Sequence, residues 1–175
     1  MDWSHMLKAP IVVFGCGNIL FGDDGLAPKA VSALAEKSSN TGILTQVAFI
    51  DAGTSIRPLL LDMILQPAQA QKVILVDVVQ EAGRTLGSIQ QKILDDESHY
   101  ERYLSDPSGD FLHNAPTWAL LHALHSHAKV GVVVVTIQAA RIPVLMDDTL
   151  SREAQDALPA LLHTIKDLCT LSDSE

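Results

Sequence analysis

Short runs of apolar residues, each followed by a turn or a helix-forming segment, constrain the fold more than any other feature of this sequence. The clearest runs are residues 11–14, 73–76 and 130–137, which are rich in valine and isoleucine. Strands that are apolar on both faces are typical of a parallel sheet covered by helices. Residues 47–50 predict a weaker strand, and residues 86–94, which alternate more, predict an edge strand.

Helix-forming segments separate these strands. Residues 26–36 and 151–168 repeat apolar residues at helical spacing, residues 116–127 form another candidate helix, and residues 58–65 form a short one. The resulting order βαβαββαβα requires crossovers that place helices on both faces of the sheet. The sequence therefore predicts one α/β domain over residues 10–170, a three-layer fold with a mostly parallel twisted sheet flanked by helices on both faces.

The ends of the chain and the starts of two helices can also be predicted. Residues 1–9 lack an element-forming pattern and predict a disordered start or a remnant of cloning, whereas residues 171–175 predict a frayed tail. Asp23 or Asp24 stands at the expected N-cap of the first long helix. Ser151 stands at that of the last.

Composition excludes several classes of protein. A chain that is 47% hydrophobic and 19% charged is too apolar to remain disordered. Its net charge of −9 argues against a nucleic-acid partner, because phosphate binding needs clustered lysine and arginine. No apolar run approaches the roughly 20 residues that span a bilayer, so no membrane contact is expected. Cys16 and Cys169 form no CxxC motif, which favours a reducing, cytoplasmic location.

Polar residues at the predicted strand ends mark the candidate site, because ligands bind beyond the carboxyl ends of the strands in open α/β sheets. A glycine-rich segment, residues 15–25, follows the first strand. Asp51 closes the second strand and Asp77 the third. His113 precedes the third helix, and from a loop there it can reach the same edge of the sheet.

The glycine-rich segment does not fit a nucleotide-binding loop. Gly15 and Gly17 begin a GxGxxG pattern, but Leu20 occupies the third glycine position. The adjacent carboxylates of Asp23 and Asp24 would repel a pyrophosphate at a helix N-terminus. The chain also has no P-loop lysine motif.

Asp24, Asp77 and His113 form a candidate metal centre instead. Two carboxylates in one cleft repel each other, which raises one pKa unless a cation binds between them. A third, imidazole ligand suits nickel or zinc, and three protein ligands with an open position are typical of catalytic metal sites. Taken singly, each residue also has an ordinary structural explanation, as a helix cap, a strand end or a solvated loop residue. Their spacing in the sequence does not choose between these explanations.

Other groups are weaker candidates. His122 and His125 lie three residues apart on a predicted helix and could chelate a metal, but the polar end of a helix is the preferred explanation. Cys16, between two glycines, is either a nucleophile or, preferably, a small buried residue in a tight turn.

Residues 11–25, with the sequence IVVFGCGNILFGDDG, resemble the N-terminal signature of the nickel–iron hydrogenase maturation endopeptidases. The resemblance continues through residues 51–54, Asp77 and His113, and so covers residues 10–168. The FGDDG and HNAP stretches are most similar to the archaeal branch of this family that serves the deazaflavin-reducing hydrogenase of methanogens.

The resemblance implies an endopeptidase that removes the C-terminal extension of the hydrogenase large-subunit precursor after nickel insertion. It also implies that Asp24, Asp77 and His113 are the metal-binding and catalytic residues. Many members of the family have glutamate where this chain has Asp24, so a contribution from Asp23 stays open. The nickel is expected to arrive bound to the precursor, whose scissile carbonyl or bound water it would activate. The precursor is the expected partner of a cytoplasmic monomer.

Two alternatives use the same residues. One is a non-catalytic, nickel-sensing chaperone of the large subunit, and the other is a small-molecule hydrolase on the same scaffold. Incubation with nickel-loaded precursor distinguishes the three functions. Cleavage would support the endopeptidase, binding without cleavage would support the chaperone, and neither outcome would leave the hydrolase.

Overall fold

The structure, a computed structural model, describes residues 3–42, 44–66, 70–94 and 111–170, and only the backbone of residues 111–116. Within these ranges, strands and helices alternate in the predicted order. In chain order they are β1 (Ile11–Cys16), α1 (Leu26–Thr41), β2 (Val47–Gly53), α2 (Ile56–Leu65), β3 (Lys72–Val79), β4 (Ile89–Leu94), α3 (Phe111–Ser126), β5 (Gly131–Gln138) and α4 (Arg152–Leu168).

The described strands form one sheet in the order β2–β1–β3–β5–β4. Strands β2, β1, β3 and β5 are parallel, and β4 pairs antiparallel with β5 at the edge. This arrangement confirms the predicted mostly parallel sheet and the edge position of the strand predicted over residues 86–94, which the structure limits to Ile89–Leu94. The chain leaves β1 toward β2 and then crosses back to β3 on the other side of β1. The switch point of the topology therefore lies between β1 and β3.

Helices cover both faces of the sheet, as predicted. The side chains of β1 show why, because Val12 and Phe14 belong to one core, Ile11 and Val13 belong to the other, and all four are buried. α2 and α3 close the first core, while α1 and α4 close the second. Burying a side chain of this size contributes about 1.5–3 kcal/mol. In the described part of the chain, no helix has the length and apolar composition needed to span a bilayer.

The N-terminus differs from the prediction of a disordered start. Met6–Lys8 form a short 3-10 helix, Leu7 is buried, and Trp3 packs against the core on the α2 and α3 side. The described residues before β1 therefore belong to the folded unit. Their few apolar side chains follow neither helical nor strand spacing, so this packing is not predictable from the sequence pattern. The predicted frayed tail, residues 171–175, lies outside the described residues.

The structure also places Asp77 and His113 differently from the prediction. Asp77 does not close the third strand, because two further valines continue the pairing of β3 with β5. His113 lies in the first turn of α3 rather than in a loop, since that helix begins at Phe111 and not near Pro116. Proline is common in the first turn of a helix, which makes it a natural but here misleading sign of the helix start.

A buried aspartate ties the loop after β1 to the loop after β5. Asp23 has no exposed surface. Its Oδ2 accepts hydrogen bonds from the backbone N–H groups of Ala140 (2.9 Å) and Arg141 (2.8 Å). The hydroxyl of Ser151 also donates to Oδ2 (2.8 Å), and the N–H of Ser151 donates to Oδ1 (2.7 Å). One carboxylate thus fixes both ends of the segment that joins β5 to α4.

The helix caps only partly follow the prediction. The hydroxyl of Ser151 accepts a hydrogen bond from the N–H of Ala154 (3.1 Å), so the predicted cap of α4 is confirmed. The N-cap of α1 is Gly25, which makes no side-chain cap. The prediction that Asp23 or Asp24 caps this helix is wrong, because both carboxylates are engaged by other backbone groups.

We predict that Asp23→Asn lowers the free energy of unfolding by about 2–4 kcal/mol. All four partners of the carboxylate are donors, so the amide NH₂ group must face at least one of them. Urea unfolding followed by circular dichroism measures the change. Asp62→Asn, on the exposed side of α2, is the matched control. A loss no larger than that of the control would contradict the anchoring role of Asp23.

Candidate active site at the switch point of the sheet

The candidate site lies where β1 and β3 separate. Pairing between these strands ends at Gly15 and Val76. β3 continues beyond that point beside β5, with Asp77 opposite Thr136. Asp77 is therefore the first residue of β3 without a neighbour on β1. A crevice at this position of an open α/β sheet is the usual place for a ligand.

A cleft of about 510 Å³ opens at this edge, on the face covered by α2 and α3. It is lined by the ends of β1 and β2, the start of α2, one side of α3, and β3 and β5. The lining side chains able to bind or react with a polar ligand include those of Cys16, Arg57, Asp77, Thr117 and Thr136.

Asp77 lies in surroundings that disfavour its charge. Burial raises the pKa of this carboxyl from 3.8 to about 6, and the negative charge of Asp24 adds to the increase. The N–H of Val78 donates to Oδ1 (2.8 Å), and this hydrogen bond opposes the increase in pKa. A half-buried carboxyl in a cleft with such a pKa is suited to cation binding or proton transfer.

Asp24 reaches the same region from the short 3-10 helix Gly22–Gly25. Burial raises the pKa of its carboxyl, although Oδ2 accepts a hydrogen bond from the N–H of Asn18 (2.7 Å) that acts in the opposite direction. The charge of Asp24 raises the pKa of both Asp77 and Cys16. The structure thus brings these two predicted carboxylates within electrostatic reach of one another.

Gly17 allows the Asp24 loop to fold back onto the end of β1. Its φ of +126° lies in a region that side chains disfavour. A Cβ atom at this position would collide with the carbonyl oxygen of Asp24 and would lie 3.1 Å from its carboxylate Oδ1. The N–H of Gly17 donates to the carbonyl of Gly53 (3.0 Å), which fixes the turn against β2. This close approach, rather than phosphate binding, explains the glycine.

The carboxylates of Asp23 and Asp51, which lie near Asp24 in the sequence or the fold, have structural roles. The two oxygens of Asp23 are engaged by the loop after β5, which leaves Asp24 as the carboxylate of this segment that lies beside Gly17. Asp51 lies within β2 rather than closing it, and its Oδ1 accepts a hydrogen bond from the N–H of Gly53 (2.9 Å). Asp51 therefore shapes the end of β2.

The environment of Cys16 disfavours a nucleophile. Burial raises the pKa of its thiol well above 9.0, and the charges of Asp77, Asp51 and Asp24 raise it further. Since the thiolate is the reactive form, this cysteine stays a neutral thiol. The structural explanation, a small buried residue at the end of β1, is the one that its surroundings favour.

His113, the third predicted ligand, has its backbone in the first turn of α3, and its side chain lies outside the described residues. Its position is one helical turn before Thr117, which lines the cleft. Positions i and i+4 share a helix face, so position 113 is on the face of α3 that borders the cleft. Among the described residues, no three His, Cys, Asp or Glu side chains are grouped to hold a metal ion. The metal-binding trio stays a prediction.

The histidines at the end of α3 have structural contacts. Nδ1 of His125 lies 3.1 Å from the carbonyl oxygen of Val130, a hydrogen bond that joins the helix to the start of β5. Nδ1 of His127 lies 3.0 Å from the hydroxyl of Ser126. These contacts favour the structural explanation over chelation.

Part of the cleft is formed by residues that no sequence motif marks. Nε of Arg57 donates to the hydroxyl of Thr117 (3.2 Å), which links α2 to α3. Trp118 lines the cleft, with Nζ of Lys92 6.0 Å from its ring centroid. Arg57 and Trp118 are brought together only by helix packing, so no local motif marks them.

We predict that Asp77→Asn raises the free energy of unfolding by about 1–3 kcal/mol at pH 8. The folded protein binds the Asp77 proton more tightly than the unfolded chain does, because its pKa is about 6 instead of 3.8. The charged carboxylate therefore lowers stability above pH 6 and has no such effect below pH 3.8. The higher stability of Asp77→Asn over the wild type should disappear as the pH falls from about 6 to 3.8. Thermal unfolding of both proteins in metal-free buffer between pH 8 and pH 4 measures it, and a gain that grows in acid would contradict the burial argument.

Comparisons with known proteins point to one family. Residues 28–168 match the family described as hydrogenase maturation protease. The chain is 31% identical over 161 residues to coenzyme F420 hydrogenase subunit delta of Methanothermobacter thermautotrophicus, a match that covers 91% of this chain and 94% of that protein.

Solved structures show the same fold. The [NiFe] hydrogenase maturation protease HybD of Thermococcus kodakarensis superposes with a TM-score of 0.65 at 22% identity, covering 91% of this chain and 99% of that one. The maturating endopeptidase HybD of E. coli gives a TM-score of 0.66 at 20% identity, with 90% of each chain covered.

Proposed function

Because the chain belongs to the hydrogenase maturation protease family, we propose that it removes the C-terminal extension of a nickel–iron hydrogenase large-subunit precursor once nickel has been inserted. The observation that carries this proposal is the pair of carboxylates, Asp24 and Asp77, at the switch point of the sheet. The similarity to an F420 hydrogenase subunit supports a deazaflavin-reducing hydrogenase as the source of the precursor.

Nickel belongs to the substrate in this proposal. Asp24 and Asp77 repel each other when both are charged, and a cation placed between them removes the repulsion. Carboxylate oxygens together with the imidazole of His113 form a donor set that nickel accepts. These residues would complete the coordination of a nickel ion that the precursor already holds. A precursor without nickel offers the two carboxylates nothing to bind, so the site would distinguish the two forms.

The cleft gives the scissile segment a place beside Asp77, which lines it. Its volume of about 510 Å³ and its opening at the edge of the sheet suit a short, extended piece of polypeptide. The hydroxyls of Thr117 and Thr136 and the guanidinium of Arg57 can bind the backbone carbonyls of such a segment. Nickel near the scissile bond would polarise its carbonyl or a bound water.

We predict that the protein cleaves nickel-loaded precursor and leaves nickel-free precursor intact. Asp24→Asn, Asp77→Asn and His113→Ala should each lower the cleavage rate by on the order of 100-fold or more, because each removes one ligand of the shared ion. Mass spectrometry of the precursor after incubation measures the products. Thermal unfolding of the variants should show that all three still fold.

Asp62→Asn is the matched control, since it removes an exposed carboxylate of α2 away from the cleft and should leave the rate unchanged. Binding of loaded precursor without cleavage would instead support a nickel-sensing chaperone. A wild-type protein that ignores the precursor would support a small-molecule hydrolase. Unfolding of all three site variants would assign structural roles to these residues.

A further inference from the structure

Three consecutive apolar side chains are exposed in the loop between β5 and α4. The exposed fractions are 94% for Val144, 81% for Leu145 and 69% for Met146. Ile19 and Leu20, in the loop after β1, are exposed by 46% and 41%. These five residues are called the apolar patch below. Soluble proteins rarely leave large apolar side chains grouped in water unless a partner covers them.

The two parts of the apolar patch lie side by side. The N–H of Asp147 donates to the carbonyl of Leu20 (2.9 Å), and the N–H of Gly22 donates to the carbonyl of Asp147 (2.6 Å). Phe21 and Asp147 form a parallel bridge. Because the two segments run parallel at this bridge, Met146 comes next to Leu20 along the backbone.

The loop that carries most of the apolar patch is held firmly at its base. Oδ2 of Asp147 accepts a hydrogen bond from Nη2 of Arg141 (2.6 Å), and its Oδ1 accepts one from the N–H of Thr149 (3.0 Å). The carboxylate of Asp23 binds the N–H groups of Arg141 and Ser151 on either side. The exposure of the three side chains is thus built into an ordered loop.

The same backbone carries the candidate active site. Asp24 directly follows Asp23, the residue that holds the loop. Asn18, which precedes Ile19 of the apolar patch, donates its N–H to the carboxylate of Asp24 (2.7 Å). A protein seated on the apolar patch would therefore have a fixed position relative to Asp24 and the crevice.

We propose that the apolar patch is the docking surface for the large-subunit precursor, which contacts it through an apolar surface of its own. This inference rests on the proposed function, which supplies the partner. Five side chains are far fewer than the roughly 20–30 residues a side of a stable interface. They suit a substrate that leaves after one cleavage better than a second copy of this chain. In a protein with a net charge of −9, residues 142–146 carry no charge, and the flanking charges of Arg141 and Asp147 are paired with each other, which limits the cost of covering the loop with an apolar partner.

The triple variant Val144→Ser, Leu145→Ser, Met146→Ser tests the proposal. With nickel-loaded precursor, we expect its Kd and KM to rise at least about tenfold, because those contacts no longer form, while kcat at saturation is unchanged. Its unfolding temperature should equal that of the wild type, since the three side chains are exposed. Leu65→Ser is the matched control, because Leu65 is 72% exposed at the far end of α2 and should change neither constant.

The outcomes separate this proposal from the proposed function. Cleavage by the triple variant with unchanged Kd and KM would overturn the docking surface and leave the function intact. Binding by the wild type that the variant loses, without any cleavage, would support the docking surface and overturn the endopeptidase. A wild-type dimer in sedimentation velocity that the variant converts to a monomer would assign the apolar patch to a second copy of the chain and overturn the proposal.

Discussion

The hydrogen bonds to the buried carboxylate of Asp23 hold together the edge of the sheet on which the candidate site lies. A fully buried charge is costly to desolvate and is stable only when it is well paired, here by four donors. All four belong to the segment that joins β5 to α4, and Ser151 among them also caps α4. The carboxylate therefore fixes the loop after β1, the apolar patch and the start of a helix in one arrangement.

Asp23 and Asp24 are adjacent in one glycine-rich segment, but their carboxylates have different hydrogen-bond partners and therefore different roles. Asp23 is surrounded by donors, whereas Asp24 accepts one backbone hydrogen bond and has its pKa raised by burial. Burial also raises the pKa of Asp77, near the end of the neighbouring strand β3. A structural carboxylate, Asp23, therefore directly precedes one of the two carboxylates with raised pKa values, and Gly17 allows Asp24 to approach the end of β1 closely.

Much of this architecture is predictable from residue patterns, because the β5 segment is apolar on both faces whereas β4 contains Gln90, Gln91 and Lys92, which separates central from edge strands. The convergence of Asp24 and Asp77 follows from the rule that strand ends share an edge. Tertiary packing decides what the sequence could not show. Helix packing brings Arg57 to Thr117, burial of Leu7 orders the N-terminus, and donors from distant loops reach Asp23.

The claim that Asp24 and Asp77 share one cation at the end of β1 and β3 is open to a direct structural measurement. Crystals of the protein soaked in nickel and measured at the nickel absorption edge would locate the ion by its anomalous signal. We expect one peak within bonding distance of both carboxylates and of His113, absent from crystals of Asp77→Asn. Carboxylates that point away from each other, with nickel bound elsewhere on the surface, would contradict the claim.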